Sequence, residues 1–301
     1  MDCRQNLPTI LFWYLFFFVN LNVELKTTQT MKRLITLCVV ALMASSSAFG
    51  WGRMGHATIA KIAEDHLSPK ASKMISEYLD GKSIISYASY PDDYRKVHLI
   101  DVGFEPTNSP RITVWGHSFQ ANKDGSLFHG ERKGTEYVKN CIWRLEEIIN
   151  RFEKEHKSMT DSARRVSLAY IVHLVGDIHC PRHIRYEDEP TSGGYMIKYN
   201  GATIKNHSFW DTACLVTFHP WGYSEIAYLL DRCNKQDIAE ICKGDIYTWA
   251  EESAKNSRFT IEVKEGDEID RSYALKHIGF VESQIRKAGY RLASVLNKVC
   301  K

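Results

Sequence analysis

The sequence predicts an all-α protein, a single mostly helical domain with at most one small β-hairpin. Apolar residues recur every three or four positions through much of the chain beyond residue 50, which is the spacing of a helix that buries one face. Alternation of apolar and polar residues is confined to residues 193–204, around an Asn-Gly pair typical of a hairpin turn. The second half of the chain has no linker rich in Pro, Gly or Ser and no repeat, which favours one domain.

The same periodicity predicts the individual helices. Ser68-Pro69 separates the first helix from the second, since proline favours the first turn of a helix. The long apolar segment 162–179 ends at Cys180-Pro181, where a proline cannot continue a helix. The predicted helices cover residues 56–67, 69–79, 136–152, 162–179, 206–217, 222–233, 238–256 and 272–300.

The segment just before residue 51 has the pattern of an export signal. Residues 31–33 form a basic start, residues 34–43 are apolar, and small residues lead to Gly50. This is the order of regions in a signal peptide, with cleavage directly before Trp51. We therefore expect residues 31–50 to be the signal peptide and 51–301 the mature domain. The processed protein is expected to be exported, either periplasmic or secreted, without a transmembrane anchor.

Residues 1–30 contain a second apolar segment, at positions 7–23. Its length is marginal for a membrane span. These residues are therefore either an apolar leader or an over-extended start of the gene, and the second interpretation is simpler because Met31 begins a complete signal peptide.

Charge and cysteine usage narrow the class of function. The formal net charge of the chain is only +3, without the basic stripe of a duplex-binding protein. An exported protein can form disulfides, and Cys233 and Cys242 are the easiest pair because nine positions separate them. No cysteine pair has CxxC spacing, so the sequence predicts no thiolate zinc site. The cysteines beyond residue 50 are Cys141, Cys180, Cys214, Cys233, Cys242 and Cys300.

Two His–Asp pairs are the first candidate metal ligands in the sequence. His173 and Asp177 are four positions apart, and so are His207 and Asp211, which places each pair on one face of a helix. Such a pair can be a surface ion pair, but the first one lies in an apolar helix, where a buried carboxylate needs a partner or a metal. Imidazole and carboxylate are ligands that zinc accepts. Directly after the first pair, His183 adds another imidazole.

The start of the mature domain offers further ligands. Cleavage before Trp51 creates a free α-amine, and the ordinary pKa of such an amine, about 7.7–8.0, lets it lose its proton to a metal ion. His56 follows five residues later, and Gly52 and Gly55 let the chain turn back. We expect the amine and the carbonyl of Trp51 to chelate a zinc ion.

Five motifs occur together and in a fixed order along 51–301. They are Trp51-Gly-x-x-Gly-His56, Tyr90-Pro-Asp92-Asp-Tyr-Arg95, His173-x-x-x-Asp177-Ile-His-x-x-x-His183, Asn206-His207-x-x-x-Asp211 and Lys287-Ala-Gly-Tyr-Arg-Leu-Ala293. In this respect the chain resembles the single-strand-specific zinc nucleases of fungi and plants, in the zinc phospholipase C and nuclease superfamily. The resemblance implies a mostly helical fold with three Zn²⁺ ions at the bottom of a cleft.

Carried over position by position, the resemblance implies three metal sites and a phosphate contact. One ion would bind Trp51 and His56, with Asp177 bridging to a second ion on Asp92, His117 and His173, and the third would bind His183, His207 and Asp211. Arg95 would face the scissile phosphate, and Asp92 would orient the attacking water. For the second ion His98 is an alternative to His117, which we favour. Phe119 would then lie near the aromatic position that stacks on a substrate base.

The resemblance also implies the reaction. The expected enzyme is a zinc-dependent phosphodiesterase that hydrolyses single-stranded DNA and RNA, and 3′-mononucleotides as a further substrate, to 5′-phosphate products. It implies no stable protein partner. A zinc-dependent phospholipase C and a catalytically inactive zinc-binding exported protein remain the alternatives. The Asn206-His207-Ser208 sequon is expected to carry no glycan, because a glycan would block the cleft beside His207.

Overall fold

Helices dominate the computed structural model, which describes residues 51–93, 116–133 and 140–301. Among these residues no helix is both long and apolar enough to cross a membrane. The helices are α1 (Arg53–Asp65), α2 (Pro69–Tyr78), α3 (Tyr90–Asp93), α4 (Cys141–Glu155), α5 (Asp161–Asp177), α6 (Asn206–Ser208), α7 (Cys214–Phe218), α8 (Tyr223–Leu230), α9 (Lys235–Ile241), α10 (Ile246–Ser257) and α11 (Arg271–Val299).

Helix α5 is the central element. Thr160 caps its start by accepting a hydrogen bond from the Ala163 amide, and Pro181 follows soon after its end. Because its side chains are apolar on nearly every face, the helix is covered by α4, α1, α2 and α11. Its C-terminal end, at Asp177, is therefore fully inside the protein.

Helix α11 holds α1 in place. Asp270 begins it by accepting hydrogen bonds from the Ser272 and Tyr273 amides. At Gly289 the two helices approach so closely that a Cβ would lie 2.6 Å from Ile62 Cγ2. Since α1 also carries His56, this packing fixes the position of that side chain relative to α5.

The predicted helix 238–256 is wrong, because the structure divides it. Gly244 has φ +87°, a left-handed conformation that glycine adopts readily and that a helix cannot contain. Helix α10 then starts afresh at Asp245, whose carboxylate accepts from the Tyr247 and Thr248 amides. The other predicted helices occur within a few residues of their expected bounds, although part of 136–152 lies outside the described residues.

The strands are short but more numerous than predicted. The expected hairpin is formed by β3 (Met196–Tyr199) and β4 (Ala202–Lys205), turning at Asn200 and Gly201, both with positive φ. It gains a third, parallel strand, β5 (Glu268–Ile269). A separate parallel pair joins β1 (Phe119–Ala121) to β2 (Ile184–Tyr186), with Phe119 opposite Ile184. This pair ties the segment after residue 116 to the turn that follows α5.

The cysteines of the described residues are all free. The predicted Cys233–Cys242 disulfide is therefore absent from the structure, although both side chains are only partly buried. The remaining four thiols are buried, and Cys180 lies at the end of α5.

Candidate metal centre

Histidine and aspartate side chains converge at the C-terminal end of α5. His173 and Asp177 are one turn apart and fully buried, with His173 Nε2 3.2 Å from Asp177 Oδ2. The prediction that the two share one face of the helix is confirmed. His207 and Asp211 form the second pair, with His207 Nε2 2.8 Å from Asp211 Oδ2.

The two oxygens of Asp177 face different neighbours. Oδ2 lies 3.0 Å from His117 Nδ1, on the same side as His173. Oδ1 lies 3.4 Å from His56 Nε2 and 3.3 Å from His183 Nδ1. One carboxylate is thus positioned to bridge two cations, one on each side.

Three groups of ligand atoms surround this carboxylate. Within each group, one nitrogen, oxygen or sulfur atom per residue lies within 4.8 Å of the others. The groups are His56, His173 and Asp177; Asp92, His117 and His173; and Cys180, His183 and Asp211.

The second group brings together residues far apart in the sequence. Asp92, on α3, has Oδ1 3.5 Å from His117 Nδ1 and 3.7 Å from His173 Nε2. Of the two candidate histidines, His117 is therefore in the cluster. The alternative, His98, lies outside the described residues, and so does Arg95.

Three of the histidines have their tautomer fixed by a backbone carbonyl. A carbonyl oxygen only accepts, so the ring nitrogen facing it must carry the hydrogen. In the neutral ring the other nitrogen, Nε2, then carries the lone pair, which is the arrangement of metal-bound histidines. The Nδ1 contacts are His173 to Ala88 O at 2.8 Å, His183 to His117 O at 2.7 Å and His207 to Ser192 O at 3.0 Å.

Several of these buried ligand atoms make no hydrogen bond of good geometry, although imidazole nitrogens lie 2.8–3.4 Å from the carboxylate oxygens. Both ring nitrogens of His56, both carboxylate oxygens of Asp177 and Oδ2 of Asp211 are in this state. Buried polar atoms are normally satisfied, because leaving one unpaired costs about 1–3 kcal/mol. A cation bound among them would satisfy these atoms, and imidazole with carboxylate is a donor set that zinc accepts. The residues present therefore fit a divalent metal.

The charges of the cluster also favour a cation. Burial would raise the pKa of the Asp177 carboxyl, but His173 and His183 opposite it hold that pKa well below its usual range. Burial lowers the pKa of His173, yet the carboxylates of Asp177 and Asp92 outweigh it and raise the pKa to about 9. Without a metal the cluster thus keeps a proton opposite Asp177, at the place where a metal ion would supply positive charge.

Trp51 is locked beside this cluster. Its side chain is fully buried, and its indole nitrogen donates to the Gly176 carbonyl at 3.0 Å. The next amide, of Gly52, donates to the Asp211 carbonyl at 2.9 Å. The backbone of Trp51 is therefore held between α5 and the segment that carries Asp211.

A sequence profile of the S1/P1 nucleases matches residues 51–301. The chain belongs to the S1/P1 nuclease family. As a member of that family it is a nuclease, a hydrolase of phosphodiester bonds.

Individual relatives cover most of the chain at low identity. Endonuclease 2 of Arabidopsis thaliana is 24% identical over 286 residues, or 88% of this chain and 96% of that protein. Nuclease P1 of Penicillium citrinum is 23% identical over 290 residues, or 83% of this chain and 97% of that protein. Nuclease S1 of Aspergillus oryzae is 24% identical over 188 residues, 60% of each chain.

In this S1/P1 nuclease, Asp211 lies in a π-helical turn. The π-helical turn, Phe209–Ala213, lies between two short α-helical segments within residues 206–218. Such turns are frequent at functional sites. Asn206, at the start of that stretch, is fully buried and donates its side-chain amide to the Tyr195 hydroxyl at 2.7 Å. A buried and bonded amide cannot carry a glycan, in agreement with the expectation for this sequon.

Cys180 is a member of the third group that the sequence did not predict. Its Sγ lies 3.0 Å from Asp211 Oδ1, and the side chain is fully buried. The absence of a CxxC motif argued against any thiolate ligand. A signal was present in its position, since Cys180 stands three residues after Asp177 and three before His183.

The structure contradicts the stacking role predicted for Phe119. Its ring is fully buried in the core, on β1, and has no face free for a base. The strand alternates, so Phe119 and Ala121 point inward while Gln120 is partly exposed. The residue two positions after the proposed ligand His117 therefore points into the core here, and not into the cleft.

His179 is buried and bonded on both sides of its ring. Its Nδ1 donates to the Val175 carbonyl at 2.8 Å, and its Nε2 accepts from Arg291 Nη1 at 2.9 Å. Arg291 belongs to the late 287–293 motif and also bonds Glu252 and the Ile241 carbonyl. Through the contact of Arg291 with His179, the motif therefore stabilises the turn between α5 and His183.

Proposed function

We propose that this S1/P1 nuclease is a zinc-dependent enzyme that hydrolyses single-stranded DNA and RNA, and also 3′-mononucleotides, to 5′-phosphate products. The single observation that carries the proposal is the convergence of buried imidazoles and carboxylates around Asp177, in three groups whose ligand atoms lie within 4.8 Å of one another. Three zinc ions are proposed, one for each group of ligands. The names of the relatives, which are nucleases and endonucleases, support the reaction class.

Each residue has a stated part in this mechanism. Bound zinc lowers the pKa of a coordinated water to about 7 and polarises phosphoryl oxygens. Asp177 would bridge the first two sites, and its helix holds His173 one turn away. Asp92, whose side chain is 8% exposed, would belong to the second site and orient the attacking water.

The first site requires a processed chain. With the leader removed, the amine and carbonyl of Trp51 and the imidazole of His56 become ligands of one ion. The tight anchoring of Trp51 to Gly176, and of Gly52 to Asp211, supports this because it fixes the terminal nitrogen beside the cluster. The same requirement supports an exported, periplasmic or secreted location, where a leader is removed.

Arg95 is proposed as the residue that contacts the scissile phosphate. It follows Asp92 by three positions in the motif Tyr90-Pro-Asp92-Asp-Tyr-Arg95, on which the resemblance to the family partly rests. A guanidinium binds phosphate oxygens bidentately and stabilises charge that develops on them.

A preference for single strands has a physical basis. A buried metal cluster acts on one phosphodiester at a time and needs the flanking nucleotides to enter a cleft. A duplex yields such a segment only after unstacking, at a cost of a few kcal/mol. The net charge of +3 gives no strong attraction for duplex DNA that would offset this.

The test uses the exported and processed protein. Its zinc content is measured, and its activity is assayed on single-stranded DNA, single-stranded RNA, duplex DNA, a 3′-mononucleotide and phosphatidylcholine. We expect cleavage of the single strands, complete loss with chelator and recovery with zinc. Activity that survives exhaustive chelation would refute zinc dependence. Hydrolysis of phosphatidylcholine alone would identify the phospholipase alternative, and zinc without turnover the inactive one.

A further inference from the structure

The thiol of Cys180 lies inside the proposed third metal site. Its Sγ, a nitrogen of His183 and an oxygen of Asp211 are all within 4.8 Å of one another, and all three side chains are at least 98% buried. We propose that Cys180 is a ligand of the zinc ion held there by His183, His207 and Asp211. This inference rests on the proposed function, because it assigns one more ligand to a site of that cluster.

The carboxylate of Asp211 shows how the group is arranged. Oδ1 faces Cys180 Sγ at 3.0 Å, and Oδ2 faces His207 Nε2 at 2.8 Å. Zinc bonds are about 2.3 Å to sulfur and about 2.0–2.2 Å to nitrogen or oxygen, so neighbouring ligand atoms in a tetrahedral site are roughly 3.3–3.6 Å apart. The two distances from Asp211 are a few tenths of an ångström shorter than this, so these pairs need only small shifts to share an ion.

The unsatisfied atoms point to a ligand at this place. Oδ2 of Asp211 is buried and makes no hydrogen bond of good geometry, although His207 Nε2 lies 2.8 Å away. His183 and His207 donate their Nδ1 hydrogens to backbone carbonyls, which leaves both Nε2 lone pairs available. A thiol that only donated to Asp211 would leave these atoms as they are, whereas a shared cation satisfies them together.

Coordination by Cys180 changes the character of this site. The thiol proton leaves to solvent as the sulfur–zinc bond forms, and the thiolate adds one negative charge. Two imidazoles, one carboxylate and one thiolate would then hold the third ion, in place of two imidazoles and one carboxylate alone.

Spectroscopy of the metal-loaded, processed protein tests this directly. X-ray absorption at the zinc edge is expected to show one sulfur among the ligands of three zinc ions, at about 2.3 Å. Replacement of zinc by cobalt(II) is expected to give a thiolate-to-cobalt charge-transfer band. Cys180→Ser removes the band and weakens one zinc affinity by at least roughly tenfold.

Cys214→Ser is the matched control. Cys214 is also buried, but its Sγ contacts the Ala274 carbonyl at 3.7 Å, so this variant should keep the band. Zinc bound only through nitrogen and oxygen in the unmodified protein would overturn the assignment of Cys180, and so would a band that survives in Cys180→Ser. Neither outcome affects the nuclease proposal, which fails instead if the protein binds no zinc. The zinc-edge measurement needs no variant, so it decides even if Cys180→Ser does not fold.

Discussion

Gly176 offers the sharpest test of how the first metal site is built. Its carbonyl accepts the indole hydrogen of Trp51 at 3.0 Å. It also has no side chain where His56 packs, since a Cβ at this position would lie 3.0 Å from His56 Nδ1 and 3.1 Å from Cε1. Substitution of alanine keeps the carbonyl and adds one methyl group against the imidazole.

The size of the effect follows from two opposing terms. A contact of 3.0 Å must open to the ordinary 3.4 Å or more, so the His56 ring moves by about 0.4 Å or α1 shifts away from α5. Overpacking of this kind costs about 1–3 kcal/mol. Alanine in a helix interior gains up to about 1 kcal/mol over glycine. The expected net loss for Gly176→Ala is therefore roughly 0–2 kcal/mol in the free energy of unfolding.

Zinc affinity should change more than the free energy of unfolding does. Displacing His56 separates it from Asp177, and disturbances around a metal ligand commonly weaken affinity by about 10–100-fold. We expect Gly176→Ala to lower zinc affinity and single-strand cleavage by at least about tenfold. Zinc titration, guanidinium unfolding without metal and cleavage of single-stranded DNA measure these quantities.

Gly279→Ala is the matched control, in helix α11. A Cβ there meets nothing within 4 Å, so the variant should be as stable as the unmodified protein or about 0.5–1 kcal/mol more stable. Its zinc affinity should be unchanged. If Gly176→Ala binds zinc and cleaves DNA as well as Gly279→Ala does, the close packing of His56 on α5 does not matter to the site.

Three further predictions follow from the same cluster. Asp177→Asn removes the bridging carboxylate and should lower zinc affinity by more than about tenfold, by titration, with the helical circular dichroism retained. A methionine retained before Trp51 converts the terminal amine to an amide and should abolish most nuclease activity; full activity of a chain shown by mass spectrometry to keep it would contradict the ligand role of that nitrogen. Arg291→Met leaves the buried His179 without its partner and Glu252 with Lys287 alone, and should destabilise the protein by about 1–3 kcal/mol in guanidinium unfolding. The exposed Lys298→Met should change stability by less than about 1 kcal/mol.

Local spacing predicted the parts of the site that lie within one helix. His173 and Asp177 face the same side because four residues nearly complete a helical turn, and the structure has them 3.2 Å apart. The helical class and the hairpin at Asn200-Gly201 followed from periodicity and turn residues in the same way. The break at Gly244 was missed, since apolar spacing on either side of it is compatible with one continuous helix.

Convergence of the segments could not be derived from spacing. Asp92 and His117 come from α3 and from the segment before β1, and tertiary packing alone brings them to α5. Their grouping was inferred from the resemblance to a family, and the structure places their ligand atoms together. The base-stacking role predicted for Phe119 was wrong for a similar reason. The sequence alone does not say which side of a three-residue strand faces the core.

The groups that orient the ligands are the least predictable from sequence, and they decide what the site can bind. The carbonyls of Ala88, His117 and Ser192 fix three imidazole tautomers, and a carbonyl has no sequence signature because every residue carries one. Without these carbonyls the imidazole rings could turn their nitrogens away from the cluster. With them, each ring has its Nδ1 hydrogen bonded to the backbone and its Nε2 directed toward the other ligand atoms. The preference for a cation therefore comes from the backbone path around α5 as much as from the residues that the motifs name.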